Sequence, residues 1–207
     1  MLIELHPHNL DQRKLEQIAQ VLREGGIVIY PTDTVYSLGC ALNRPDAIEK
    51  LERMKGIKKG KANFSIICSD LSHLSEYCKQ VNNQVYKLMR NALPGPYTFI
   101  LEASKSIPKL FAGNKKTVGI RVPDHPVPLA LVEHLGCPII TTSIHDSDGF
   151  LGYPTDPDEI YSEWHDKVDV VIDAGAGGFV PSTVIDCSTG QPLLVREGKG
   201  DVDLMDD

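Results

Sequence analysis

The chain has 207 residues, 42% hydrophobic and 24% charged, with a formal net charge of −7. That length suits one domain with a substantial core, and the acidic balance excludes a protein coated in basic surface for nucleic acid. No apolar run approaches the roughly 20 residues needed to cross a bilayer, and the N-terminus lacks the basic-then-apolar layout of a signal peptide. Five scattered cysteines (Cys40, Cys68, Cys78, Cys137, Cys187) without a Cys-x-x-Cys pair read as reduced thiols of a cytoplasmic protein. The histidines show no metal-ligand spacing.

Residues 2–5 are expected as a short strand. Residues 10–24 read as an amphipathic helix, because Leu15, Ile18, Ala19 and Leu22 recur at helical spacing and Gly25-Gly26 can end it. Residues 27–30 form a strand that Pro31 stops, since proline has no N–H for the sheet ladder. Thr32, Asp33, Thr34 and Tyr36 then stand where a strand hands over to a loop. In α/β proteins ligands bind beyond strand ends; the plain alternative is a turn whose Thr and Asp cap nearby backbone groups.

Pro45 suits a helix first turn, and Ile48, Leu51 and Met54 continue one apolar face to about residue 55. Lys50, Arg53, Lys55, Lys58, Lys59 and Lys61 fall within twelve residues, with 56–61 a basic loop. This run is either a solvated helix end or a phosphate contact. A strand at 64–68 and helices at 71–79 and 83–91 follow. Pro94-Gly95-Pro96 breaks the chain before a strand at 97–103.

The strand at 117–122 holds Arg121 between Ile120 and Val122. Arginine usually stays solvated, but this apolar setting favours a paired, partly buried fork suited to a carboxylate or phosphate. After a helix at 127–135, a strand at 138–142 runs into the hydroxyls of Thr141, Thr142 and Ser143. A helix at 158–164, a strand at 168–173 and a flexible glycine turn at 175–178 lead to strands at 183–187 and 193–196. Pro181-Ser182 precedes the first of these strands and Arg196 ends the second. Together these strand ends suit one pocket for a small zwitterion beside a phosphate. There is no Walker loop, no Gly-x-Gly-x-x-Gly, and no nucleophile–base pair demanding covalent catalysis. Strands mixed with helices, without repeat or linker, predict an α/β fold (formally α+β): one domain over residues 1–207, with helices layered on a sheet.

Six motifs in order resemble the YrdC/YciO family, whose members include threonylcarbamoyl-AMP synthases. They are Tyr30-Pro31-Thr32-Asp33-Thr34-x-Tyr36, Pro94-Gly95-Pro96-Tyr97-Thr98, Gly119-Ile120-Arg121-Val122-Pro123, Thr142-Ser143, Pro181-Ser182-Thr183-Val184-Ile185-Asp186 and Arg196-Glu197-Gly198. The resemblance implies a YrdC-like, three-layer domain: a twisted mixed sheet of about seven strands with helices on both faces, around a deep pocket with a basic mouth. It further implies ATP as substrate with Mg²⁺, and a reaction of threonine, bicarbonate and ATP for tRNA adenosine modification. By the same resemblance Thr34, Arg121, Thr141 and Ser182 hold threonine. Lys55, Thr117, Ser143 and Arg196 face the nucleotide, with Lys55 and Ser143 catalytic.

Three positions depart from the synthase pattern. Ile57 stands where the synthases carry the Arg of Lys-x-Arg, His145 stands in place of the Asn of Ser-x-Asn, and Ser37 replaces a usual Gly. These departures resemble the YciO branch and predict weak synthase turnover with ATP binding retained. The alternative is a nucleotide- and double-stranded RNA-binding protein that uses Lys58, Lys59 and Lys61 at the pocket mouth.

Overall fold

The computed structural model describes residues 1–58, 62–107, 116–144 and 152–205. Short-range signals account for most of its elements. Strand β1 (Leu2–Glu4) leads to helix α1 (Gln12–Arg23), which Asp11 starts by accepting the N–H groups of Arg13 and Lys14. Strands β2 (Val28–Tyr30) and β3 (Ser37–Ala41) follow, then helix α2 (Pro45–Met54), with proline in its first turn. Next come β4 (Ser65–Ile67), the single turn α3 (Leu74–Tyr77) and α4 (Asn83–Ala92), where the Asn82 side chain accepts the Val85 N–H. Strands β5 (Tyr97–Glu102) and β6 (Thr117–Arg121) precede α5 (Pro126–Leu135), which ends at the left-handed Gly136. Strand β7 (Ile139–Ser143), helix α6 (Pro157–Trp164), and strands β8 (Val170–Asp173), β9 (Thr183–Asp186) and β10 (Leu193–Arg196) complete the order.

The strands form one mixed sheet in the order β1-β8-β2-β3-β7-β4-β6-β5-β9-β10. It has ten strands among the described residues, where the family resemblance implied about seven and the reading in chain order placed nine. The short strands β1, β2 and β4, of three residues each, and β10, of four, all fall where a strand was expected. Strand β3 was not expected at all. Ser-Leu-Gly-Cys-Ala has poor strand propensity, yet it pairs with both β2 and β7 in the middle of the sheet. Gly39 shows why packing overrides propensity here: a Cβ at this position would lie 2.0 Å from the Ile140 carbonyl oxygen.

Alternation along the strands sorts side chains to two faces. On one face Ile29, Leu38, Cys40, Ile66, Phe99 and Ile120 pack with Leu51 of α2, Met89 of α4 and Trp164 of α6. On the other, Val28, Tyr30, Ala41, Ile67, Ile139 and Ile172 pack under α1 and α5 through Leu15, Ile18, Leu22, Val127 and Leu131. Burying each such Leu or Ile contributes about 1.5–3 kcal/mol. This second face is apolar only where helices cover it. Farther along the same strands its residues become Ser37, Ser65, Thr117, Gly119, Thr141 and Ser143, which line a cavity of about 450 Å³.

Candidate functional site

Arg121 ends β6 at one wall of this cavity and is 6% exposed. Its Nη2 donates to Asp33 Oδ1 at 3.2 Å and to Thr34 Oγ1 at 3.0 Å. Its Nε is buried and has no hydrogen-bond partner among the described residues. Burial pushes the guanidinium pKa down, the Asp33 carboxylate pushes it up, and the nearby Arg196 pushes it down again. Arginine does not lose its proton under these influences, so the wall carries a fixed positive charge with an unused donor. Asp33 is fixed in turn: Oδ2 accepts the Asp124 N–H at 3.1 Å, and its carbonyl accepts the Lys199 ammonium.

The loop that holds Thr34 is clamped from behind. Gly178 packs so closely that a Cβ there would lie 2.0 Å from the Thr34 carbonyl oxygen. The Tyr36 hydroxyl donates to the Gly175 carbonyl at 2.8 Å, and burial pushes its pKa up to about 12. The glycine segment expected as a flexible turn is therefore a tight backing for the site. Behind the cavity floor, the Tyr30 hydroxyl donates to Thr141 Oγ1 at 2.8 Å, and burial raises the pKa of this phenol too.

Another part of the lining comes from β9 and β10. Their register shifts between Leu194 and Arg196, leaving Val195 as a bulge, and both Val195 and Arg196 line the cavity. Arg196 Nη2 donates to the Ser182 carbonyl at 2.8 Å, and Nε donates to the same oxygen at 3.3 Å. Ser182 Oγ shares a hydrogen bond of 2.8 Å with Thr98 Oγ1.

Seven of the residues singled out from sequence thus line one cavity: Thr34, Thr117, Arg121, Thr141, Ser143, Ser182 and Arg196. Lys55 does not line it. The Lys55 ammonium donates to the carbonyls of Ser143 and Ile144, both at 3.1 Å, and so ties the end of α2 to the end of β7. Lys58 is exposed just past α2. Lys59, Lys61 and His145 lie outside the described residues. Sequence reasoning missed Ser65 and Tyr153, which also line the cavity. Ser65 could have been found, because it shares a strand face with Ile67, opposite Thr141 and Gly119. Tyr153 carries no local signal.

The described residues include no group of three His, Cys, Asp or Glu side chains able to hold a metal ion. Among the described residues the one carboxylate against Arg121, that of Asp33, is engaged by that guanidinium and a backbone N–H. A protein-ligated Mg²⁺ does not fit this donor set, and no step below runs through one.

The Sua5/YciO/YrdC family model, described as telomere recombination, matches residues 20–198. The chain belongs to this family. The Sua5/YciO/YrdC match takes in every cavity residue named above. Relatives include the protein YciO of Escherichia coli strain K12, 42% identical over 199 residues that cover 96% of this chain and 95% of that protein. The crystal structure of E. coli YciO matches with a TM-score of 0.90 at 40% identity, over 99% of this chain and 98% of that one. The threonylcarbamoyl-AMP synthase of Bacillus subtilis strain 168 is 32% identical over 188 residues, 89% of this chain but 53% of the synthase. This chain therefore spans about half the length of that synthase. Sua5 of P. abyssi, in a crystal structure with L-threonine, matches with a TM-score of 0.86 at 29% identity, over 96% of this chain and 57% of that one. The fold expected from the resemblance, a mixed sheet between helix layers, is the fold observed.

Proposed function

We propose that the cavity binds threonine and ATP and forms threonylcarbamoyl-AMP, at a rate below that of the longer synthases. The observation that carries this reading is the convergence of two guanidiniums, Arg121 and Arg196, on one hydroxyl-lined cavity in which Arg121 keeps a buried donor unused among the described residues. A buried cationic donor without a partner favours a carboxylate that completes the fork. Sua5 of P. abyssi, crystallised with L-threonine, makes an amino acid the first candidate.

In the proposed reaction bicarbonate gives CO₂ and hydroxide, the neutral threonine amine attacks the CO₂ carbon, and the N–H proton it loses joins the hydroxide as water, leaving a carbamate. A carbamate oxygen attacks the α-phosphorus of ATP, the bond to the bridging oxygen breaks, and pyrophosphate leaves. Arg121 orients the carboxylate, and Thr34, Thr141 and Ser182 complete the amino-acid end. Arg196, Thr117 and Ser143 lie toward the phosphates, where fixed donors favour the charge that develops on them. The five cysteines are all free thiols, which supports a reducing, cytoplasmic setting.

The test is pyrophosphate release with threonine, bicarbonate and ATP. Release should require threonine, and equal release without it overturns the reading. One observation favours a second reading, nucleotide and RNA binding without turnover. Ile57 offers no donor where the resemblance places an arginine, and the Lys55 ammonium is engaged by the end of β7. Under that reading ATP binds and no pyrophosphate appears.

A further inference from the structure

The hydrogens of the Thr32–Thr34 pair can be assigned one by one. Thr32 Oγ1 lies 2.8 Å from the Val35 carbonyl oxygen. A carbonyl can only accept, so the single Thr32 hydroxyl proton is committed there. Thr32 then receives two donors, the Thr34 N–H at 3.1 Å and the Thr34 hydroxyl at 2.9 Å. The second bond has only one possible direction, because Thr32 has no proton left to give. Thr34 therefore donates to Thr32. Arg121 Nη2, which cannot accept, donates to Thr34 Oγ1 at 3.0 Å. Thr34 has thus spent its proton and one of its two lone pairs, and it lines the cavity with the other.

A free hydroxyl rotates to suit its ligand; this one is held. Both threonines are buried, Thr32 at 5% and Thr34 at 1% exposure, so water does not readily supply substitute partners. We infer that Thr32 is a positioning residue: it turns Thr34 into a hydrogen-bond acceptor toward the cavity, so that the site selects a ligand bearing a donor at that point, the amine of a free amino acid. The inference rests on the amino-acid reading of the cavity and deepens it. An amine or ammonium satisfies the remaining lone pair. A carbonyl in its place sets two acceptors against each other.

The test compares three ligands that share a carboxylate and a β-hydroxyl. They are L-threonine, 3-hydroxybutyrate (no group in place of the amine) and 3-hydroxy-2-oxobutanoate (an acceptor in its place). Binding is measured by calorimetry to wild type, Thr32→Val and Thr32→Ser. Wild type should prefer threonine to the oxo acid by about tenfold to a hundredfold or more, the range for a hydrogen bond to a charged group. In Thr32→Val the Thr34 proton is released and can turn to the carbonyl, so the preference should fall about tenfold. Thr32→Ser keeps the wiring and should keep the preference. A general loosening of the loop would weaken all three ligands and leave the ratio in place.

If Thr32→Val does not fold, wild type still decides. The oxo acid should bind more weakly than 3-hydroxybutyrate, and equal or tighter binding overturns the inference. Threonine binding with an unchanged preference in folded Thr32→Val overturns the inference alone. Failure of wild type to bind threonine overturns the functional reading and this inference with it.

Discussion

Arg121 is the residue on which most of the site's chemistry converges. Its fork touches Asp33 and Thr34 through one nitrogen, while Nε has no partner among the described residues. A lysine in its place carries the charge but cannot form a two-pronged contact. Arg121→Lys should therefore bind threonine no better than Arg121→Ala, each losing about 2–5 kcal/mol of binding free energy. Calorimetry checks this, and wild-type affinity in Arg121→Ala would remove the residue from the site. Arg121 was legible as a candidate because it sits within an apolar strand where a solvated arginine is out of place, and Arg196 because it ends an apolar strand, although it is itself exposed. The wiring behind them was not. That Tyr30 reaches Thr141 depends on a contact between β2 and β7, and the direction of the Thr32–Thr34 bond on the Val35 carbonyl and on Arg121, neither of which residue spacing encodes.

At the scale of elements, the site loop is positioned from outside itself. Gly178 admits the Thr34 carbonyl so closely that Gly178→Ala must displace it. The variant should lose about 1–3 kcal/mol of stability and most threonine-dependent pyrophosphate release. Gly152→Ala, with open space around the position, should lose neither, and thermal melting with the release assay separates the two. Helix α5 supplies a pH-dependent prediction. The His125 Nδ1 accepts the Val127 N–H at 3.2 Å as the helix cap, and burial lowers the His125 pKa from its ordinary 6.5, against the opposing pull of Asp33 and Asp124. The folded state then binds fewer protons than the unfolded chain just below that value. This contribution is present above about pH 6.5 and is lost as pH falls toward the depressed folded pKa. Wild-type Tm should fall more steeply below pH 6.5 than that of His125→Asn, which keeps an acceptor without titrating. Parallel curves would exclude the histidine. Helices such as α1 and α2 were legible because a cap and an apolar stripe lie within one segment. Strand β3 was not, because Gly39 is there for its missing Cβ, a requirement set by Ile140 about a hundred residues away.

For the whole molecule, the question is where its positive charge is usable. The chain carries a net charge of −7, so anions are drawn only to local clusters. Within the basic run, Lys50 pairs with Asp169 at 3.0 Å and Lys55 is taken up by backbone carbonyls. Arg53 and Lys58 remain exposed among the described residues. The cavity has the exposed Arg196 at its wall and the buried Arg121. ATP should therefore raise the Tm by mass action, and Arg196→Ala should remove most of that shift. Arg196 is exposed, so its attraction for phosphate is screened by salt, and the ATP shift should shrink modestly between 50 and 200 mM salt, concentrations chosen for the contrast in counterion release. RNA bound through two to four cations of the run, Lys59 and Lys61 included, should show log K against log salt with a slope of about −2 to −4. That is too shallow for the many phosphate contacts of a dedicated nucleic-acid binder. A slope near −10, with no pyrophosphate release, would make the surface and not the cavity the working part of the protein. A shallow slope with threonine-dependent release places the chemistry between Arg121 and Arg196.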